Sequence, residues 1–264
     1  SGAFKVGRSR GVSITDSAFV ENQGQGPWFD ESVYNITFTG NDVIGNTGNG
    51  LVLELSERAV VADNIVAKNA LSGILIANSG NVQVWNNTVV GNTRNINVSM
   101  DKRRASDTSA AGHDRRQPVP DPTVPWITRN TVISNNVVSN GSGNCVVCVE
   151  DYSRMYTGAQ MVSATNNNLY QRVSATAPTW FGVWSRGTIV NPSVFKTPAE
   201  FSASTGHERG SRFIDGGASL VTPRFILVPE HAASQGATAQ AVPSTVAAVS
   251  RLKSGTRTLG AQQR

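Results

Sequence analysis

The sequence predicts an all-β protein, a right-handed parallel β-helix solenoid that is closed by a C-terminal mixed cap. Three observations lead to this prediction. A six-residue unit that ends in asparagine recurs at a spacing of 23 residues, and short apolar segments of alternating polarity lie between its copies. The chain of 264 residues also holds 23 asparagines and 25 glycines but only 16% charged residues. This composition favours turns over helices.

The asparagine unit is clearest at Asn41–Asn46, Asn64–Asn69 and Asn87–Asn92, with equivalents at Ser17–Asn22 and Asn135–Asn140. A repeat of this length, with three short strands and no helix, cannot bury its own apolar face and must stack on the next repeat. Coils of such a stack lie about 4.8 Å apart, so equivalent residues of successive coils lie above one another. The repeated asparagines are therefore expected to form structural ladders of side-chain amides.

A second unit begins with glycine, as in Gly50-Leu-Val-Leu-Glu-Leu and Gly73-Ile-Leu-Ile-Ala-Asn. The two units together resemble the repeats of the pectate-lyase-like superfamily of β-helix proteins, over about residues 7–192. That superfamily includes secreted bacterial polysaccharide lyases, glycoside hydrolases and uronate epimerases. The resemblance implies a bacterial protein, secreted or at the cell surface, with polysaccharide as its partner. It does not choose a reaction, because one fold carries many activities.

The chain divides into predicted coils over residues 1–192 and a predicted C-terminal cap with short helices over residues 193–264. Residues 101–124 are polar and without an apolar period, so we expect a long loop or a partly disordered insertion there. The first residues lie in the middle of a repeat, which suggests a precursor that began further upstream. No apolar run approaches the roughly 18 residues of a membrane span, and none is expected.

Charge is distributed unevenly, at −2 over residues 1–100 and +7 over residues 101–264. A basic half suits an acidic polysaccharide or nucleic acid. The basic residues are scattered and lack the interleaved aromatic residues of single-strand binders, so nucleic acid is not expected as a partner. We expect a monomer.

Strand alternation separates the inward side chains from the outward ones. If the apolar ladder that includes Leu51 and Leu53 faces inward, Trp28, Asp30 and Glu54 face outward. Asp30 and Glu54 are 24 residues apart, one coil, and are predicted to be stacked neighbours with Trp28 beside them. Two adjacent carboxylates disfavour joint ionisation, so that one is protonated more readily or a cation lies between them.

Three roles remain open for this pair: a general acid and base, a calcium site for an acidic sugar, or a solvated polar face. In the first role Asp30 and Glu54 are the catalytic residues, and Trp28 is a stacking platform for a sugar ring. Asn97, Arg103 and Arg104 are further candidate substrate-binding residues, since the basic residues leave the sheet that carries Asn97. Calcium is the one cofactor that the pair suggests. It needs more than two oxygens, for which Glu31, Asn35 and Glu57 are candidates, and the metal ligands are not assigned.

The sequence therefore leaves open whether the protein is an enzyme. The first hypothesis is a polysaccharide lyase, glycoside hydrolase or epimerase acting in a groove on the outward sheet. The alternative is a non-catalytic glycan-binding module or a structural surface β-helix. Cys145 and Cys148 are predicted to lie on opposite faces of a strand, so no disulfide is expected between them. His113 and His207 are expected to be solvated.

Overall fold

The computed structural model describes residues 2–262, which form a parallel β-helix of stacked coils. The first strand of each coil lies in sheet A. Its strands are β1 (Gly2–Gly7), β4 (Gln25–Asp30), β7 (Leu51–Glu54), β10 (Ser72–Ala77), β13 (Arg94–Met100), β16 (Cys145–Asp151), β19 (Trp180–Trp184) and β20 (Ser193–Phe195). All neighbours in sheet A pair in parallel except β20, which is antiparallel to β19.

Two further parallel sheets complete the coils. Sheet B holds β2 (Arg10–Thr15), β5 (Tyr34–Thr39), β8 (Glu57–Ala62), β11 (Gly80–Trp85), β14 (Thr131–Ser134) and β17 (Val162–Asn166). Sheet C holds β3 (Ala18–Val20), β6 (Asp42–Ile44), β9 (Ile65–Ala67), β12 (Thr88–Val90), β15 (Val137–Ser139), β18 (Leu169–Arg172) and β21 (Arg212–Asp215). The predicted all-β fold and its parallel β-helix architecture are confirmed.

The core is the inside of the coil stack. The residues predicted to face inward are all buried in one apolar cluster: Phe29, Leu51, Leu53, Ile74, Ile76, Ile96 and Val98. Strand register follows the period closely, since Ile74 pairs with Leu51, 23 residues before it, and with Ile96, 22 residues after it. Side chains of equal chemistry therefore stack coil upon coil, which buries a continuous apolar column.

The corner between sheets B and C is built by a two-residue unit. Its first residue has left-handed backbone, as at Asp63 and Asn86, with φ of 58° and 51°. Such backbone is tolerated best by glycine, asparagine and aspartate. The second residue is a buried asparagine that belongs to a ladder along the stack, formed by Asn41, Asn64, Asn87, Asn136 and Asn168. The predicted asparagine ladder is therefore present.

Each rung of this ladder satisfies several buried polar groups. The Oδ1 of Asn87 accepts bonds from both the backbone N–H and the side chain of Asn64, at 3.1 and 2.8 Å. Its Nδ2 donates to the carbonyl of Val61 and to Oδ1 of Asn136. A second ladder, at the corner between sheets C and A, runs through Asn22, Asn46, Asn69, Asn92 and Asn95.

The insertion joins β13 to β14 and contains no helix or strand between Met100 and Thr131. It nevertheless has a packed centre, because Trp126 is fully buried and forms an apolar cluster with Leu55, Ala105 and Val124. The Trp126 Nε1–H donates to Ser32 Oγ at 3.0 Å. The expected long loop is therefore present as a segment without helix or strand, and its centre packs on the corner between sheets A and B.

An ion pair ties the end of the insertion to an earlier coil. Glu57 and Arg129 lie on either side of Gly80, one coil below it and one coil above it. Their side chains meet across the glycine, with Arg129 Nη2 3.1 Å from Glu57 Oε1. Glycine leaves room for this contact, since a Cβ atom at Gly80 would lie 2.7 Å from Glu57 Oε2. Burial raises the pKa of Glu57, although Arg129 and Asn81 act in the opposite direction.

The segment after Asn191 covers the last coils. Its helices are α2 (Pro198–Thr205), α3 (Pro229–Ala232), α4 (Gln235–Thr238) and α5 (Ser244–Ala247), and α1 (Gly158–Met161) precedes β17. Thr197 and Glu200 form a capping box that begins α2. Phe201 of α2 packs edge-on against Trp184 of β19, with ring centroids 5.4 Å apart. Short helices are thus found within residues 193–264, where the sequence predicts them.

The division into coils and cap remains a prediction, and the C-terminal residues do more than cover the end of the stack. Residues 242–262 run along the flank of the coils. Val246 and Leu252 pack on Trp85, and the backbone N–H of Gln262 bonds to Asp63 Oδ1 at 2.7 Å. Arg251 forms an ion pair with Asp16 of the first coil. We call this segment the strap. Within residues 2–262, the helices are all too short to cross a membrane.

Candidate functional site

The two predicted acidic residues occupy equivalent positions in neighbouring strands of sheet A. Trp28 pairs with Val52 and Phe29 pairs with Leu53, so Asp30 and Glu54 are the next residues in the same register. Val52, Leu75 and Asn97 continue the outward row that begins at Trp28. We call the outward surface around Trp28, Asp30 and Glu54 the carboxylate row.

Lys5 neutralises one end of the carboxylate row. Its Nζ lies 2.8 Å from Asp30 Oδ2 and 4.2 Å from the centre of the Trp28 ring. Burial alone would lower the pKa of Lys5, but its hydrogen bond to Asp30 and the charges of Asp30 and Glu31 raise it. The Asp30 side chain is only 8% exposed and therefore has little access to bulk water.

Arg103 neutralises the other end. Its Nη2 lies 2.6 Å from Glu54 Oε1 and 2.7 Å from Asp101 Oδ2. The hydrogen bond to Asp101 raises the pKa of Arg103. Burial opposes the effect on Asp101, but the bonds from Arg103 lower the pKa of that carboxyl. Trp28 Nε1–H donates to the second oxygen of Glu54 at 3.1 Å, so both carboxylate oxygens of Glu54 have partners.

The cation expected beside the two carboxylates is thus supplied twice, by Lys5 and by Arg103. All four oxygens of the pair already have partners within the protein, because Lys5 and the backbone N–H of Glu31 contact Asp30, and Arg103 and Trp28 contact Glu54. The arrangement therefore suits ionic and hydrogen-bonded contacts to a ligand better than proton transfer.

The remaining predicted binding residues point in two directions. Asn97 lies on sheet A, where Arg94 Nη1 donates to its Oδ1 at 3.1 Å. Arg104 turns away from Glu54 and donates to Ser153 Oγ at 2.9 Å, with its guanidinium 5.6 Å from the centre of the Tyr156 ring. Arg103 therefore lies at the carboxylate row, whereas Arg104 joins the insertion to the loop after β16.

Sequence analysis missed Lys5 and Arg94, which both form ion pairs on this face. The period could have identified Lys5, because it lies 23 residues before Trp28 and pairs with it in the register. Arg94 joins its own strand to the next coil, since its guanidinium group bonds to Asn144 Oδ1 at 2.8 Å and to Glu150 Oε2 at 2.5 Å. A strand pattern cannot predict this contact, because its partners are 50 and 56 residues away.

Two cavities lie away from the carboxylate row. One, of about 540 Å³, separates Gly7, Arg8 and Ser9 from residues 110–116 of the insertion. The other, of about 160 Å³, is lined by residues that include Glu150, Arg154 and Arg186. Neither includes Trp28, Asp30 or Glu54, so the carboxylate row is a strand face beside these cavities and not the floor of either.

The two cysteines contradict the sequence prediction. Cys145 and Cys148 form a disulfide, with Cα atoms 5.7 Å apart. The prediction assumed strict alternation along β16, but Val146 and Val147 both belong to the central apolar core. With two successive residues in the core, Cys148 returns to the side of Cys145, although the pairing of β16 with β13 and β19 runs without a register shift. The cysteines form a separate small cluster with Val183.

The histidines are also less exposed than expected. His113 is 7% exposed and stacks on Trp126 at 4.5 Å, with its Nε2 donating to the carbonyl of Asp107. The expectation that it is solvated is therefore wrong. His207 is half-buried, and its Nδ1 accepts the backbone N–H of Thr165 at 3.3 Å. Burial lowers the pKa of His207.

One family model, described as a periplasmic copper-binding protein (NosD), matches residues 1–107 of this chain. No curated protein and no solved structure matches the chain. The matched region corresponds to the first coils, so the chain is similar to a family of periplasmic β-helix proteins. The periplasm in that description agrees with the predicted secreted or cell-surface location in bacteria.

The donor set does not fit a copper site in the form that the structure shows. Residues 1–107 contain no histidine or cysteine, and their one methionine, Met100, is fully buried. Within residues 2–262, no group of three or more histidine, cysteine, aspartate or glutamate residues is placed to hold a metal ion. The two cysteines are joined to each other.

Proposed function

We propose that this protein is a periplasmic or secreted β-helix protein that holds a polysaccharide segment against the carboxylate row without cleaving it. The observation that carries the proposal is the row of paired charges around an indole ring. Lys5 contacts both Asp30 and the face of Trp28, and Arg103 contacts Glu54. Paired acids and bases can exchange their mutual bonds for bonds to sugar hydroxyl and carboxylate groups, and aromatic rings offer a stacking surface.

An acidic polysaccharide is the preferred ligand class. Lys5 covers the Trp28 ring in the free protein, with Nζ 4.2 Å from the ring centre and a side chain that is 39% exposed. A uronate carboxylate would draw this ammonium group to itself and uncover the ring. A neutral sugar offers no such partner and must displace Lys5 without replacing its ionic contacts.

The hydrolase or lyase remains the second candidate, because Asp30 and Glu54 are neighbours in the register. Both carboxylates are already engaged by cations of the protein, Asp30 by Lys5 and Glu54 by Arg103. The geometry therefore supports this candidate less well than it supports binding. Calcium would have to compete with Lys5 and Arg103 for the same oxygens.

Electrophoresis in gels that contain polygalacturonate, alginate or a neutral glucan tests the proposal. We expect the acidic polymers to retard the protein, with Trp28→Ala weakening retardation by about fivefold to tenfold. Lys5→Ala should weaken retardation by acidic polymers and strengthen retardation by the neutral glucan. Arg251→Ala, which removes an exposed ion-paired arginine of the strap, is the matched control and should migrate like the parent.

The same polymers, incubated with the protein with and without calcium, separate binding from catalysis. New reducing ends or unsaturated uronates would show that the parent cleaves the polymer. If Asp30→Asn and Glu54→Gln abolish these products, the protein is an enzyme and the binding proposal is wrong. If the parent migrates equally in gels with and without each polymer, and releases no new reducing ends or unsaturated uronates, both the binding and the enzyme candidates are contradicted.

A further inference from the structure

We propose that the cavity at the ends of β16 and β19 binds a single sugar acid, a small molecule with one carboxylate and several hydroxyl groups. The cavity has a volume of about 160 Å³ and is lined by residues at and after the ends of both strands. Sites that enclose a drug-sized molecule have about 300–1,000 Å³, so this cavity suits a smaller ligand. The inference does not rest on polysaccharide binding, because the carboxylate row does not line this cavity.

Two arginines contribute the positive charge of the cavity wall. Arg154 follows β16 and Arg186 follows β19, and both side chains are exposed. Within residues 2–262, neither guanidinium group forms an ion pair or a hydrogen bond. A guanidinium group matches a carboxylate with two parallel N–H donors. Two such groups on one cavity therefore attract a carboxylate from solution.

Asp151 shapes the loop that carries Arg154. Its Oδ2 accepts the backbone N–H groups of Met155 and Tyr156, each at 2.7 Å, and its Oδ1 accepts that of Ser153 at 2.8 Å. Because both oxygens are used inside the loop, this buried carboxylate holds the turn instead of pairing with Arg154. A loop that is ordered before binding loses less entropy when a ligand arrives.

The segment that carries Arg186 is also held in place. Ser185 is 6% exposed, and its Oγ donates to the carbonyl of Tyr156 at 2.7 Å and accepts the backbone N–H of Gly187 at 3.3 Å. Arg186 itself pairs with Thr157 through an isolated antiparallel bridge. The loop after β16 and the segment after β19 are therefore joined to each other, which fixes the separation of the two arginine backbones.

The rest of the wall favours a hydroxylated organic acid over an inorganic anion. Glu150 Oε2 is shared by Arg94, at 2.5 Å, and by the Tyr152 hydroxyl, at 3.2 Å. A carboxylate here can accept hydroxyl groups of a ligand, but it repels a second negative charge. Ile189 and Val190 are 48% and 61% exposed and add apolar surface. A sugar ring offers hydroxyl and C–H groups to these side chains, whereas phosphate offers more charge and no C–H group.

Isothermal titration calorimetry of the full chain with galacturonate, galactose, acetate and inorganic phosphate tests the ligand class. We expect galacturonate to bind with a Kd of about 1 mM, in keeping with its small size. Galactose lacks the carboxylate and acetate lacks the ring, so each should bind at least about tenfold more weakly. Absence of galacturonate binding, or binding of galactose or phosphate as tight as that of galacturonate, would overturn the proposal.

Two substitutions locate the bound acid. Arg186→Ala and Arg154→Gly should each weaken galacturonate binding at least about tenfold. Glycine is chosen at position 154 because the backbone there has a φ of 58°, which glycine adopts without strain, so the melting temperature should not fall. Arg224→Ala removes an exposed arginine outside the cavity and is the matched control, which should bind like the parent.

The same titrations show which results contradict the cavity as the site. Unchanged galacturonate binding in both Arg154→Gly and Arg186→Ala would overturn the proposal, and so would an equal loss in Arg224→Ala. Binding that is lost in Trp28→Ala instead would place the sugar acid on the carboxylate row.

Discussion

Two corners of the coil stack are held by contacts of different kinds. At the corner between sheets B and C, the same bonds recur from coil to coil between Asn41 and Asn168, because each asparagine donates to the next one along the ladder. At the corner between sheets A and B, Trp126 and the Glu57–Arg129 ion pair each occur once. A repeated contact leaves a period in the sequence, whereas a contact made once leaves none.

The two corners should also differ in how many coils one substitution destabilises. A ladder residue in the middle of the stack serves two coils, so its loss leaves unpaired polar groups on both sides. The insertion packs on the outside of the corner, and its loss leaves the asparagine ladders intact. Three predictions test this difference, in decreasing order of expected effect.

Asn87→Ala should have the largest effect. The change removes the acceptor of two Asn64 bonds and the donor to Val61 and Asn136, all of them buried. We expect a loss of about 4 kcal/mol in the free energy of unfolding, measured by urea denaturation. Asn22→Ala, at the half-buried end of the second ladder, is the control and should cost about 1 kcal/mol. Equal losses would mean that ladder position has no effect.

Trp126→Ala should have an intermediate effect. The fully buried indole leaves a cavity among Leu55, Ala105 and Val124, for which we expect a loss of about 3 kcal/mol. The loss should be local, with faster proteolysis within residues 101–130 and little change in the circular dichroism of the coils. Arg115→Ala, an exposed residue of the same insertion, should change neither measurement. Collapse of the β signal would show that the insertion supports the whole stack.

Glu208→Gln should have the smallest effect, and one that depends on pH. Asn168, the last asparagine of the ladder, and the Tyr170 hydroxyl both donate to the buried Glu208 carboxyl. Burial raises the pKa of Glu208, although bonds from Ser211, Thr165, Tyr170 and Asn168 oppose the shift.

The sign follows from proton linkage. Between the unfolded and folded pKa values the folded protein holds more protons, so stability is highest below the unfolded pKa and falls as pH rises through the folded value. The slope for one proton is at most about 1.4 kcal/mol per pH unit. Glu208→Gln should remove this contribution, as measured by unfolding at several pH values. A variant that keeps the parent's slope would show that Glu208 does not carry it.

Much of the architecture could be predicted because it is periodic. The asparagine ladders, the inward apolar row and the neighbouring positions of Asp30 and Glu54 all follow from one repeat length and strand alternation. The identity of the cations beside these carboxylates could not be predicted in the same way. Arg103 comes from the non-periodic insertion, and its approach to Glu54 depends on how that insertion folds back.

The cysteines show where strict alternation of side chains along a strand fails as a predictor. Alternation placed Cys145 and Cys148 on opposite faces, and the prediction of no disulfide followed directly. Packing in the core draws Val146 and Val147 inward together, and this single irregularity joins the sulfurs. Nothing within β16 marks the irregularity, because its first five residues are all valine or cysteine, which suit either face.

The sequence by itself determined the parallel coil stack, its period and its buried row, because those features arise from hydrogen bonds and apolar contacts between equivalent residues. Only the tertiary structure decided the ion pairs of the carboxylate row, the packed centre of the insertion, the course of the strap and the disulfide. Each of these joins residues that are not equivalent in the repeat, or breaks the alternation within a strand. Their energies depend on burial and on the approach of distant segments, which a linear pattern does not encode.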